Sequence, residues 1–503
     1  MSFTTKESTK TCETNYKNIS IYTINGIKIN ILSIDIIKKL NYYEFINYLS
    51  IINEIKEILD DNNNIIKYIW NNIIINIDNF NDFIKDINET TIITMVIQKL
   101  PKIYATISAF ALINLDGDVI TWGNLKCKYN SNNIQNKLKN IKEIYSTWGA
   151  FAAIDNDGNV ITWGDFKYGG NSNHVQSQLT NIKKIYTANM AFAAIDNNNN
   201  VITWGNSYNG GNSSNVQHQL TDIKEIYSID CGFAAINNNC DVITWGYYNN
   251  NQDKLINIKK IYSTSFAFAA ITNNGNVITW GDPNSGGNSD KVQSRLKNIK
   301  EIYSNKSAFA AIDNYNNVIT WGHSYNGGNS SDVQHLLIDI KKIYSNDMGF
   351  AAITNDGNII TWGASENACD TSMLQDKLRV WQHYKKNIKK IYSTNRAFAA
   401  VNNNGDVITW GDPEHGGDSS MVQLTNIINI YSTDWAFAAI DNDGNVITWG
   451  HSEYGGDSSN VQLKNIIKIY STWDAFAAID NNGNVITWGN PEHGGDLSIK
   501  NIN

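Results

Sequence analysis

The chain has 503 residues, more than one compact domain usually holds, and 42% of them are apolar, enough for a substantial core. A net charge of −8 at pH 7 leaves it without the basic surplus of a nucleic-acid-binding protein, so no nucleic-acid partner is expected. The five cysteines (Cys12, Cys127, Cys231, Cys240, Cys369) are scattered and form no CxxC pair, which suggests neither a zinc site nor a disulfide framework and points to a reducing compartment.

Residues 1–18, MSFTTKESTKTCETNYKN, lack the apolar stretch of a signal peptide and read as a disordered, solvated tail. Residues 19–32, ISIYTINGIKINIL, place two alternating runs around Asn25-Gly26, the preferred pair for a two-residue hairpin turn. Residues 34–59 contain no Gly or Pro. Ile36, Ile37, Leu40, Phe45, Leu49, Ile52, Ile55 and Leu59 recur at three- and four-residue steps, which predicts one or two amphipathic helices. The run Asp60-Asp61-Asn62-Asn63-Asn64 ends them, and a mixed segment, 65–97, contains Trp70. Residues 19–97 are therefore expected to form a small, mainly α N-terminal module. No apolar run approaches the roughly 18 residues of a membrane span. Heavy use of Ile, Asn, Lys and Tyr is the mark of an AT-rich genome, such as that of a protist, a bacterium or a large DNA virus.

From about residue 98 to 503 the chain repeats. Ile-Thr-Trp-Gly recurs with tryptophans at 122, 163, 204, 245, 280, 321, 362, 410, 449 and 488, at intervals of 39 or 41 residues with two exceptions of 35 and 48. Such a period marks a modular array in which each unit buries its face against the next. One unit, residues 140–180, reads as three strands. IKEIY is strand a, AFAAI is strand b and NVITW is strand c, with an Asp-Gly or Asn-Gly turn between b and c. Alanines on both faces of strand b allow neighbouring sheets to approach, and the single Phe of each unit fills the gap. The longer segment after each Trp-Gly must carry the chain back to the start of the next strand a. An outer strand or a helical turn is expected there, near Val175-Gln176 and Val461-Gln462.

An Ala-rich strand, a turn ending in Gly, a strand ending in Trp-Gly and then a Gly pair resemble the repeat of the regulator of chromosome condensation family. Units of about forty residues are most similar to its shorter, three-stranded members, such as the bacterial β-lactamase-inhibitor propellers. The resemblance covers about four fifths of the chain. It implies an all-β propeller, commonly of seven blades, whereas this chain has about ten repeats of three or four strands and lacks the family's usual Gln-Leu-Gly after the Gly pair. Within the N-terminal module, residues 32–70 resemble in part an F-box, with Leu40, Glu44-Phe45, Ile52-Asn53 and Trp70 at the motif's places and Leu32-Ser33 departing from its Leu-Pro start. The alternative is a helical cap over the open edge of the array.

Strand direction identifies a working face. If strand a runs upward, the a–b loop and the stretch after Trp-Gly share the top face, and the b–c turn lies at the bottom. The b–c turn is monotonous. The a–b loop is not, and loops on a rigid scaffold are where binding residues concentrate. Trp148, Met190, Phe266, Met348, Arg396, Trp435 and Trp473 occupy it and are the candidate partner-binding residues, being of types favoured at interfaces. Asp155-Asn156-Asp157-Gly158-Asn159 has the look of a calcium loop, but equivalent turns such as 237–241 lose the carboxylates. The histidines, which fall in the segments after Trp-Gly, read as solvated loop residues. The Gly pairs, missing from the first, fourth and seventh units, read as turns. With no nucleophile–base pair, no enzyme, cofactor or metal is expected. The expectation is an intracellular, cytoplasmic or nuclear scaffold (in host cytoplasm if viral) that binds a protein partner. An F-box would add a Skp-type adaptor, docked through Leu40, Phe45, Ile52 and Trp70, and a role in ubiquitination. Nucleotide exchange on a Ran-like small GTPase is the alternative that the family resemblance implies. An inhibitor or a structural surface protein is a third.

Overall fold

The computed structural model describes residues 18–23, 28–33, 64–70, 73–75, 80–88, 91–124, 134–247, 255–364 and 388–497, together with 37–40, 45, 49 and 369. The chain divides into two compact units, Met1–Pro101 and Lys102–Asn503.

In the first unit, β1 (Asn18–Thr23) and β2 (Lys28–Ser33) pair antiparallel on either side of the Asn-Gly site, which itself lies outside the described residues, as does the tail 1–17. They join β3 (Asn64–Trp70), β4 (Ile73–Ile74) and β5 (Ile92–Lys99) in one sheet of order β2-β1-β5-β3-β4. This sheet accounts for the mixed segment: branched residues alternate along β5, so that Ile93 and Met95 are buried while Ile92 and Ile97 are exposed. A helix, α1 (Phe80–Asp86), buries Phe80 and Phe83 against Phe45, with ring centroids 5.3 and 5.7 Å apart. The helices read over 34–59 fall mostly outside the described residues. Of the residues quoted for the F-box, Leu40 packs at the edge of this core, Phe45 is fully buried in it and Trp70 ends a sheet strand against Phe83. Ile52 is not among the described residues.

The second unit is a β-propeller of ten three-stranded antiparallel sheets, the blades. The second blade is built from strand a (Ile141–Ser146), strand b (Ala150–Asp155) and strand c (Val160–Gly164). The register sets Phe151 opposite Trp163, and the two rings stack at 5.2 Å. The same pair recurs in every blade, from Phe110–Trp122 to Phe476–Trp488. It packs on the alanine face of the preceding blade: Phe151 and Trp163 share a buried cluster with Ala109, Ala111 and Ile113 of the first. Seven of the ten seams are also pinned by a hydrogen bond. Trp204 Nε1 donates to the Gly169 carbonyl at 3.1 Å, and Trp245 Nε1 to Gly210 at 3.0 Å. The same bond closes the ring, since Trp122 Nε1 donates to the Gly494 carbonyl at 3.2 Å, 372 positions along the chain.

The first glycine of each pair follows from this packing. Gly169 sits at φ +92°, and a Cβ there would lie 2.7 Å from Cδ2 of Phe192. The return segment is a 3-10 turn rather than a fourth strand, for example Gln176–Gln178. It is tied to strand c through Thr162, Ser172 and Gln176, whose Nε2 donates to the Val160 carbonyl at 2.9 Å. In the Asp-Asn-Asp-Gly turn, the Asp155 carboxylate accepts from the backbone N–H of Asp157 and Asn159 and from the Asn159 amide, so the turn consumes its own ligand atoms.

Trp163, Trp280 and Trp410 follow the three blades without a Gly pair, and their buried indole N–H groups have no acceptor among the described residues. Trp204→Phe breaks a bond that Trp163→Phe does not, while both remove similar volume. Trp204→Phe should therefore cost about 1 kcal/mol more than Trp163→Phe, read from urea unfolding midpoints at constant slope.

Candidate functional site

Each blade joins strands a and b through a three-residue segment, whose first residue extends strand a in the fourth and seventh blades, and each position has a separate task. The first is structural. Thr147 Oγ1 accepts from the Ala150 N–H and donates to the Tyr168 carbonyl at 2.8 Å, fastening the loop to the turn that follows Trp-Gly. Thr264, Thr394, Thr433 and Thr472 repeat the second of these bonds, and in the sixth blade Asn305 Nδ2 reaches the Asn326 carbonyl in their place. These first residues are mostly buried, which accounts for the frequency of Thr there.

The second position forms a belt. Ile107 N–H donates to the Trp148 carbonyl, Trp148 to Asn189, Asn189 to Asp230, Asp230 to Ser265 and Ser265 to Lys306, at 2.8–3.4 Å. The sequence resumes from Asp347 to Asn395, Asp434 and Trp473, and Trp473 donates to Ile107 at 3.2 Å. Between the sixth and seventh blades the side chains meet, with Lys306 Nζ 3.3 Å from Asp347 Oδ2. The belt commits the backbone and leaves the side chains free to line the mouth of a central cavity of about 1070 Å³.

That mouth has two unlike halves. Trp473, Ile107 and Trp148 come from the tenth, first and second blades and form an apolar arc. The two indoles meet edge to face at 5.5 Å, and Trp473 is 41% exposed. The other arc is polar: Asn189, Asp230, Ser265, Lys306, Asp347, Asn395 and Asp434. Burial raises the pKa of Asp434 from the usual 3.8 to about 6, helped by the charges of Asp347 and Asp474 and opposed by the Asn395 hydrogen bond and Lys306. Burial likewise raises Asp230, against hydrogen bonds from Ser265 and Asn189. An arc of carboxylates and amides beside a pair of indoles can hold a cationic group and an apolar one together.

The third position faces outward, over the turn after Trp-Gly. Met348 and Arg396 lie here, with Arg396 Nη1 3.9 Å from Asp412 Oδ2. Trp435 stacks on His415 of the preceding blade at 4.2 Å and leans on His451 and Tyr454 of its own. His415 is thus a buried residue rather than a solvated one. Burial lowers its pKa, against the pull of Asp412. His493 is likewise paired, with Asp474.

The candidate residues read from the sequence therefore separate. Trp148 and Trp473 meet at the mouth. Met190, Met348, Arg396 and Trp435 sit on the outer ring, and Phe266 is the third-position residue that also reaches the cavity lining, 38% exposed. The polar arc is built of small and charged side chains, which residue size does not single out. The signal was present, since Asp230, Asp347 and Asp434 occupy the same place in the repeat as Trp148 and Trp473.

No protein-family model matches the chain, and no curated protein matches it in sequence. Among solved structures, Prp20p from Saccharomyces cerevisiae, described with its binding to Gsp1p and histones, is 16% identical over 59% of this chain and 82% of its own, with a TM-score of 0.34. The ectodomain of the Physcomitrella patens receptor kinase CR4 is 13% identical over 54% and 74%, with a TM-score of 0.32. The computationally designed protein Ika8 is 9% identical over 61% and 96%, with a TM-score of 0.28. The propeller assignment rests on the blades themselves.

Because the folded-state pKa of Asp434 is raised, its favourable contribution to stability is complete below about pH 4 and is lost as pH rises through about 6. At neutral pH the ionised carboxylate is a net cost. Asp434→Asn should raise the melting temperature at pH 7 and reduce the gain in stability on acidification from pH 7 to 5, measured by thermal denaturation across that range.

Proposed function

We propose that this chain is a non-enzymatic scaffold that captures a protein partner at the loop mouth of its propeller. The observation that supports this reading most directly is the division of labour within the a–b loop. The first residue and the backbone of the second are committed to the fold, whereas the second side chain belongs to no blade seam and lines the mouth. At that position the chain places two indoles and an isoleucine on one side and three aspartates on the other. Solvent-exposed tryptophan is costly to maintain and is enriched at interface hot spots. A partner segment that presents an apolar side chain beside a basic one would satisfy both arcs.

The adaptor reading needs an F-box helix on residues outside those described, and Trp70 on a sheet strand adds nothing to it. The exchange-factor reading rests on family resemblance. Both are outcomes that an affinity purification separates: a Skp-type protein with a cullin, a small GTPase, or another protein.

Tagged full-length chain and its Trp148→Ala/Trp473→Ala variant should be compared by affinity purification and quantitative mass spectrometry. Proteins held by the first should fall about tenfold or more in the second, the size of loss expected on truncating a hot spot. The variant should keep a cooperative melt, because neither indole belongs to a blade seam. Equal recovery of every captured protein from the two would overturn the mouth as the binding site.

A further inference from the structure

The end of the ring opposite the loop mouth carries a different charge pattern. The innermost strands, a, touch one another around the ring, and their first residues lie at the end opposite the loop mouth, beside the b–c turns. Strand a opens Ile-Lys-Glu in the second, fourth and sixth blades and Ile-Lys-Lys in the third, fifth, seventh and eighth. In the first set, the strand's tyrosine hydroxyl donates to the glutamate, as Tyr145 does to Glu143 at 2.7 Å. In the second set, the lysine lies over the tyrosine ring, as Lys390 does over Tyr392 at 4.3 Å. Lysine and glutamate thus alternate around the axis from Lys102 to Lys342.

The alternation then stops. The eighth, ninth and tenth blades supply Lys390, Asn429 and Lys468, with no glutamate at that position. Lys341, Lys342, Lys389 and Lys390 are exposed, and none pairs with a carboxylate among the described residues. Partial shielding of its amine from solvent lowers the pKa of Lys390, and the charges of Lys342 and Lys389 lower it further, so the cations of this arc lie close enough to repel. In the middle of the arc Ile428 is 48% exposed, in place of the lysine that precedes Glu143 or Lys184. The acidic groups at this end serve their own loops: Asp339, just before strand a of the seventh blade, accepts from the Asn316 and Asn355 amides, and in the b–c turns Asp441 holds Asn445 and Asp480 holds Asn484.

We propose that this basic arc is a second binding site, and that its occupant is an extended acidic segment of a protein partner. Charge complementarity selects an anion, and the geometry selects its shape. A broad duplex laid across this end would meet the ring of turn aspartates, whereas a single extended chain near the axis meets lysines. Bases of a single-stranded nucleic acid need open aromatic faces to stack on. Here the tyrosine faces are covered by the lysines themselves. Ile428 adds a place for one apolar side chain within the acidic run. The site lies at the opposite end from the loop mouth and does not depend on it.

The test uses full-length protein and a fluorescein-labelled deca-glutamate peptide, read by fluorescence anisotropy. Wild type should bind, more weakly as salt is raised, because such contacts are screened. Lys342→Glu/Lys390→Glu should weaken binding at least tenfold, while Lys291→Glu, an exposed lysine of a return segment, should leave it within twofold. Should the double reversal melt earlier than wild type, Lys342→Gln/Lys390→Gln gives the same reading with a smaller loss. Equal binding by wild type and a folded double variant, or absence of binding by wild type at low salt, would overturn the site. Binding of labelled oligo-deoxythymidine as tight as that of the peptide would overturn the occupant.

Discussion

The phenylalanine–tryptophan pair that each blade presses onto the alanine face of its neighbour is the contact on which everything else here depends. It supplies the apolar burial between blades that a three-stranded sheet cannot provide internally. In seven blades it also sets the register, because the indole N–H reaches a fixed carbonyl in the preceding blade. A one-residue slip would turn the alanines away from the seam and strand that N–H. With the register fixed in every blade, the a–b loops arrive at the axis at one height, which is what lets their backbones join into a belt.

This contact also bears on the number of blades. Alanine-faced sheets lie close together, and each consumes only a tenth of the circle. Bulkier faces would splay the blades and close the ring with fewer of them. The wide ring leaves a cavity at its centre, and its lining is set by single residues per blade rather than by any one loop. Function in such a molecule is written around a circumference.

The repeat, the three strands, the turn chemistry and the face carrying variable loops were all legible in the sequence, because each is a local pattern copied ten times. AFAAI and VITWG announce their strands wherever they occur. What could not be read was the direction of individual loop side chains. Trp148 and Trp435 look alike as large residues in equivalent loops, yet one is second in its triplet and faces the axis, while the other is third and packs between His415 and Tyr454. That difference depends on which backbone group each neighbour claims. The five-stranded sheet of the N-terminal unit was similarly hidden. Its parallel pairing of β1 with β5 joins segments some seventy residues apart, and no local period reports such a partnership.

The hydrogen bond from Trp122 to Gly494 joins two blades that no peptide linker connects, yet it has the same atoms and nearly the same length as the bonds at the linked seams. Covalent continuity therefore contributes little to holding neighbouring blades together. A protein assembled in this way is a set of interchangeable wedges. Copying or losing one forty-residue stretch of gene alters the circumference by a single wedge and keeps the phenylalanine–tryptophan packing at the remaining seams. It also changes the order in which side chains are presented around the axis, so a change in blade number is at once a change in the pattern that the mouth displays.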